Sequence, residues 1–285
     1  MVKRPHNMAD EPDKGTVLEP LGDDSYYAQA NKQRTAVESP VPQYSSDFQP
    51  LAVAPPDSSL DIYYKPTRRP FVPLLTILDD GSPTVGEVIR IREPVTVIGR
   101  TEGHIKVLND PQVSTRHAEL VRESTPSSYR WLLRDLQSAN GTFVRCTKAL
   151  LRPDRIIILG SQRFRFQPAV QMIAQNEPGT SLIDNQHSPQ LLWPALIETA
   201  SPSTAMEIRL RGSSNLIGRP GCGNDVELDD PLIASQHAII SQTSGGEWRI
   251  EAKPSKNGLW IQVTAIALVG TCRFQCGEQR FLFEE

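Results

Sequence analysis

In this 285-residue chain, an arginine after an apolar run and a glycine, a polar loop ending in histidine, and an Asn-Gly pair follow one another in fixed order. The first set is Val97-Ile98-Gly99-Arg100, then Ser114-Thr115-Arg116-His117, then Asn140-Gly141-Thr142. A guanidinium at a strand end offers a planar fork of donors for a carboxylate or phosphate. Hydroxyls and loop amides can receive the same anion. Read singly, each has a plainer role. Arg100 could be a surface ion-pair partner, and the Ser114–His117 loop a strand-entry turn that satisfies its own backbone. His117 opens an apolar strand and reads as a buried structural hydrogen-bonder, not a base or metal ligand. Asn140-Gly141 is a tight-turn signal, and its side-chain amide could hold the turn or meet a peptide backbone.

Nothing in the sequence assembles a catalytic set. There is no phosphate-cradling Gly-rich loop with Lys-Ser/Thr, and no serine in a nucleophile-elbow context. Cys272 and Cys276 lack the second pair of a zinc site. The four cysteines read as core or surface thiols in a reducing, cytoplasmic compartment. A net charge of −3 argues against a bulk nucleic-acid binder. No apolar run approaches the ~18 residues of a membrane span. The basic N-terminal residues have no apolar stretch behind them, so no secretory signal is expected. Neither metal nor cofactor is expected.

The elements that must position these residues begin late. Ten of the 24 prolines precede Phe71, and none of the four tryptophans does. Segment 1–70 shows no sustained period and is expected to be a disordered tail. From Phe71, short β-rich runs recur between turn residues: Pro73–Leu78, Val85–Ile91, Val95–Ile98, His117–Val121, Tyr129–Leu133, Arg155–Leu159 and Phe164–Gln167. That spacing predicts an all-β sandwich over 71–168. Residues 169–189 read as a linker, and 190–285 as a second β domain. Segment 71–168 carries 14 basic and 10 acidic residues, net +4, whereas 169–285 is net −5. A basic first domain would suit an anionic ligand.

The second domain repeats the pattern: Leu216-Ile217-Gly218-Arg219, then Ile233-Ala234-Ser235-Gln236-His237, then Asn257-Gly258-Leu259. Arg-to-His spacing is 17 and then 18, and His-to-Asn spacing 23 and then 20. Gly-Arg, Ser-x-x-His and Asn-Gly-Thr in this order, with Asp135-Leu136-Gln137-Ser138 before Ala139, resemble the forkhead-associated (FHA) domain family. The first copy is the strong match; the second diverges.

The resemblance implies two FHA-like β-sandwiches of eleven strands each, ligand loops at one end, and no catalysis. It implies a phosphothreonine-peptide-binding adaptor in Ser/Thr kinase signalling, partnered by phosphothreonine proteins and an upstream kinase. By position, Arg100 and Ser114 would grip the phosphate, Thr115 would sit beside it, and Asn140 would hold the peptide backbone. Gly99, His117 and Gly141 look architectural. Ala139 replaces a frequent Ser or Thr. In the second copy Arg219 and Asn257 remain, Ala234 and Leu259 replace hydroxyl residues, and Ser235 offers a weak substitute. The alternative is a structural subunit whose FHA-like domains make phosphorylation-independent contacts. Thr16 and Thr35, each with a glutamate three residues on, are candidate phosphorylation sites through which the tail could bind its own first domain.

Overall fold

Short alternating runs become strands wherever turn residues interrupt them, and no helix forms among the described residues. The computed structural model describes residues 12–19, 72–126, 128–169, 193–199 and 206–285, all within one compact unit. The strands up to the first Asn-Gly turn are β1 (Thr16–Leu18), β2 (Leu74–Leu78), β3 (Gly86–Arg90), β4 (Val95–Gly99), β5 (Ile105–Lys106), β6 (Ala118–Ser124) and β7 (Tyr129–Asp135). After it come β8 (Thr142–Leu151), β9 (Ile156–Leu159) and β10 (Gln162–Gln167). The second copy supplies β11 (Ala195–Glu198), β12 (Glu207–Arg209), β13 (Ser214–Gly218), β14 (Val226–Glu227), β15 (Ala238–Gln242) and β16 (Trp248–Ala252). It ends with β17 (Leu259–Val263), β18 (Ala265–Leu268), β19 (Thr271–Cys276) and β20 (Gln279–Glu284).

These strands make two sandwiches, but not one per copy. In the first, one layer runs β5-β4-β6-β7-β18. Its other layer joins β3, β2, β20, β19 and the start of β8. In the second, β14-β13-β15-β16 continue onto the end of β8, opposite β12-β11-β10-β9-β17. Each copy thus gives its last strands to the other. The cores confirm the exchange: Trp131 of the first copy packs on Phe283 of the second at 6.3 Å, and Trp248 of the second on Phe166 of the first at 6.4 Å. Edge-tilted aromatic contacts at such distances are favourable beyond their burial.

The expectation of two consecutive, self-contained domains at 71–168 and 190–285 therefore differs from the strand pairing. The cause lies in the residues after each Asn-Gly pair. A hairpin there needs Gly, Asn or Asp at the turn, yet Val144-Arg145-Cys146-Thr147 and Ile261-Gln262-Val263-Thr264 contain none. Both stretches stay extended, as β-branched residues favour, and carry the chain out of its own sandwich. The crossing strands β8 and β17 pair antiparallel, Leu259 opposite Cys146 and Val263 opposite Thr142. Cys146, Val144 and Ile261 are fully buried there.

The exchange also changes the electrostatic reading. Residues 72–146 with 265–285 hold eleven basic and twelve acidic residues, net −1, while 147–168 with 193–263 hold eleven and nine, net +2. The +4 of segment 71–168 belongs to no folded unit, so any anion site must be built locally.

Within the segment expected to be disordered, Pro12–Glu19 is ordered. Strand β1 lies antiparallel on β8, Thr16 opposite Ala149 and Leu18 opposite Cys146. Two ion pairs fasten it: Asp13 to Arg155, both side chains under a tenth exposed, and the partly exposed Glu19 to the buried Arg145. Burial pushes the Arg155 guanidinium down to about 10. The Thr16 hydroxyl donates to Asp13 Oδ2 at 2.8 Å, so Thr16 and the glutamate three residues on both serve the strap. The rest of the tail, including Thr35, and all of the 169–189 linker except Ala169 lie outside the described residues.

Candidate peptide-binding site

The first loop set converges at one end of the first sandwich. Gly99 ends β4, where a Cβ would sit 2.2 Å from the Thr115 carbonyl oxygen and 2.3 Å from that of Glu102, so only glycine admits the loop. That approach lets the Arg100 amide donate to Ser114 O at 2.8 Å. The Arg100 side chain is half-buried, and its Nη1 donates to Pro111 O at 3.3 Å. Among the described residues no carboxylate pairs with it, which leaves guanidinium donors for a ligand. Ser114 Oγ accepts from the Ala139 amide at 3.0 Å, and its own O–H remains to donate. Thr115 and Arg116 are exposed. Asn140 Nδ2 donates to Gln112 O at 2.8 Å, leaving its Oδ1 as an acceptor.

His117 is the internal brace. Its Nδ1 accepts from the Ser114 amide at 3.0 Å, which places the proton on Nε2, bonded to the Gly141 carbonyl at 3.1 Å. One fully buried ring thus ties the Ser114 loop to the Asn140-Gly141 turn. Burial holds its pKa below 6.5, against the opposite pull of the Gly141 carbonyl, Asp135 and Asp110.

The second loop set has the same brace. His237 Nδ1 accepts from the Ala234 amide at 3.2 Å, and Nε2 meets Gly258 O at 3.0 Å. Arg219 Nη2 donates to Ile233 O at 2.8 Å, and Asn257 Nδ2 to Leu232 O at 2.8 Å. What is missing is the hydroxyl: Ala234 stands where Ser114 stands. Ser235, the possible substitute, is exposed, and its carbonyl accepts from Asn224 Nδ2 at 2.8 Å.

Two aspartates that the sequence reading passed over hold these loops. Asp110 Oδ1 accepts from the Gln112 amide at 2.8 Å, and its Oδ2 from the Glu278 and Gln279 amides at 2.7 and 3.1 Å. Asp230 repeats this with Leu232 at 2.7 Å and with the amide and hydroxyl of Ser161 at 2.8 and 2.6 Å. The only trace in the sequence is an aspartate before proline in each copy, Asp110-Pro111 and Asp230-Pro231. An open cleft of about 860 Å³ has Gln112, Asn140 and Leu232 in its lining. Arg163 reaches it from the exchanged β10; its Nη1 lies 3.5 Å from Asn140 O and its guanidinium over the Phe143 ring.

Cys146, Cys272 and Cys276 are buried free thiols and Cys222 an exposed one. Burial pushes the three buried thiols up, away from reactivity. Among the described residues no His, Cys, Asp and Glu cluster could hold a metal, and no helix is long and apolar enough to cross a membrane.

Paired β layers, with an Arg, a Ser and an amide side chain on the loops at one end, define an all-β sandwich that presents polar groups from its loops. The FHA domain family model matches residues 96–160 and 215–271, and the chain carries two FHA copies in tandem. Both matches run past the crossing strands, so each copy is contiguous in sequence while its strands divide between the sandwiches. FHA domains are in general phosphothreonine-binding protein-interaction modules and are not enzymes. No curated protein matches the chain.

Proposed function

We propose that the first loop set binds phosphothreonine peptides and that the protein is a non-enzymatic adaptor read by a Ser/Thr kinase pathway. The observation that carries this is Arg100. It is half-buried, anchored by one backbone carbonyl and unpaired with any carboxylate among the described residues, beside a serine hydroxyl with a free proton. A dianionic phosphate supplies the missing acceptor oxygens. Arg100 and Ser114 grip the phosphate, Thr115 borders it, and Asn140 meets the peptide backbone through Oδ1. The partner is a phosphothreonine protein. A reducing compartment such as the cytoplasm suits the exposed thiol Cys222. For the second sandwich, Ala234 favours the alternative role of phosphorylation-independent contact.

The test is capture of a peptide pool with fixed phosphothreonine by the full chain, against the same pool dephosphorylated. Arg100→Ala should weaken capture by roughly ten- to a hundredfold, the worth of a charge-assisted hydrogen bond of ~1.5–3 kcal/mol. Arg100→Lys should weaken it too, because an ammonium lacks the planar fork. Equal capture of phosphorylated and dephosphorylated pools would end this reading.

A further inference from the structure

We infer that the hairpin β19–β20 of the second copy is a working part of the first copy's peptide site, with Asp110 as the positioning residue that joins them. The inference rests on the phosphothreonine reading for its ligand but on strand exchange for its geometry.

Segment 110–114 carries three of the site's contacts: Pro111 O receives Arg100, Gln112 O receives Asn140, and Ser114 receives the Ala139 amide. One carboxylate fixes both this segment and the hairpin. Asp110 Oδ1 holds Gln112, while Oδ2 holds the turn amides of Glu278 and Gln279. The turn presses directly on the loop. Gly277 has φ +64°, and a Cβ there would lie 2.6 Å from Asp110 Oδ2 and 2.9 Å from both the Gln112 carbonyl carbon and Val113 Cγ2. Gln279 Nε2 donates to Leu78 O at 2.7 Å, anchoring the same turn to the end of β2. The hairpin itself is built into the first sandwich by pairing with β2 and β8.

It follows that the first site is complete only while the second copy's strands are seated. This gives the divergent copy a function that needs no phosphate of its own: it closes its neighbour's site. The mirror arrangement, Asp230 on Ser161, ties the second loop set to the first copy's β9–β10 turn in the same way.

The experiment uses the full chain and two variants. Asp110→Asn weakens the link without adding bulk, and Gly277→Ala pushes the turn off the loop. Without ligand, hydrogen exchange is followed at residues 112–114 and 139–140 and at the hairpin. Faster exchange at both places in either variant is expected, because the loop has lost its anchor. With the fixed-phosphothreonine pool, affinity should fall on the order of tenfold in each variant. Asp110→Glu, which keeps the acceptor charge, should recover part of the loss where a merely space-filling role would not. If the hairpin loosens while the loop amides keep their protection, or affinity stays within about twofold, the inference is overturned. A parent chain that ignores the pool would defeat the proposed ligand alone, and the ligand-free exchange would still decide the coupling.

Discussion

The two loop sets share a scaffold and differ in chemistry. Each has a histidine bridging a loop amide to the glycine carbonyl of the Asn-Gly pair, an arginine on a backbone carbonyl, and an asparagine on another. Only the first has a hydroxyl at the centre, Ser114 against Ala234. The crossing strands differ too. Strand β8 is covered by β1 with two ion pairs, and among the described residues β17 has no such strap. The brace histidines and the aspartates Asp110 and Asp230 hold the loops whether or not a ligand binds, so they can persist where the hydroxyl is gone. A recognisable loop scaffold is therefore evidence of the sandwich, and the polar atoms it presents are evidence of the ligand.

The largest effect should come from separating the copies. Residues 71–168 alone lack β18, β19 and β20, and 190–285 alone lacks β9, β10 and the end of β8. Neither should yield a folded monomer. Sedimentation with circular dichroism checks this, and a monomeric, cooperatively unfolding 71–168 would mean that Arg145–Lys148 can turn back after all. Next is the strap. Asp13→Ala leaves Arg155 as a buried, unpaired charge, a loss of about 3–5 kcal/mol, readable as a lower urea midpoint. Glu19→Ala should cost less, because Glu19 is 28% exposed against 7% for Asp13.

Exchanging the central residues sharpens the contrast at smaller scale. Ser114→Ala should weaken phosphopeptide binding at the first site by about 1 kcal/mol, the usual worth of one hydrogen bond. Ala234→Ser should confer measurable binding on the second, checked by titration in an Arg100→Ala background. No gain there would show that the second loop set is closed to phosphate for reasons beyond the hydroxyl.

The smallest effect is on pH. Both brace histidines sit below 6.5 because burial disfavours the imidazolium. As pH falls below about 6.5 the unfolded chain takes up protons that the folded chain resists, so stability is lost. The urea midpoint should be lower at about pH 5 than at about pH 7, and His117→Gln and His237→Gln should each remove part of that difference. Equal loss from both would confirm that the braces are equivalent where the loops are not.

Much of this was legible before the structure. The runs at Pro73–Leu78, Val85–Ile91 and Tyr129–Leu133 became β2, β3 and β7 because alternation and turn residues are local signals. The Gly-Arg, Ser-x-x-His and Asn-Gly groups did come together, since the order of strands in a sandwich fixes which loops share an end. The exchange was not legible. Strands β10 and β20 share the run Gln-Arg-Phe-x-Phe, and that local pattern does not say which core it enters. The available clue was negative: ten residues from Thr142 to Leu151 without Gly, Asn, Asp or Pro. Strand β1 was hidden for another reason. Three residues inside a Pro-rich segment form a strand only because β8 offers an edge and Arg145 and Arg155 need carboxylates.

The most direct test is calorimetric titration of the full chain with one phosphothreonine peptide selected from the pool. The expected result is one site per chain, lost in Arg100→Ala and kept in Arg219→Ala. Two equal sites, or a single site lost in Arg219→Ala and kept in Arg100→Ala, would contradict the assignment of phosphate reading to the first loop set.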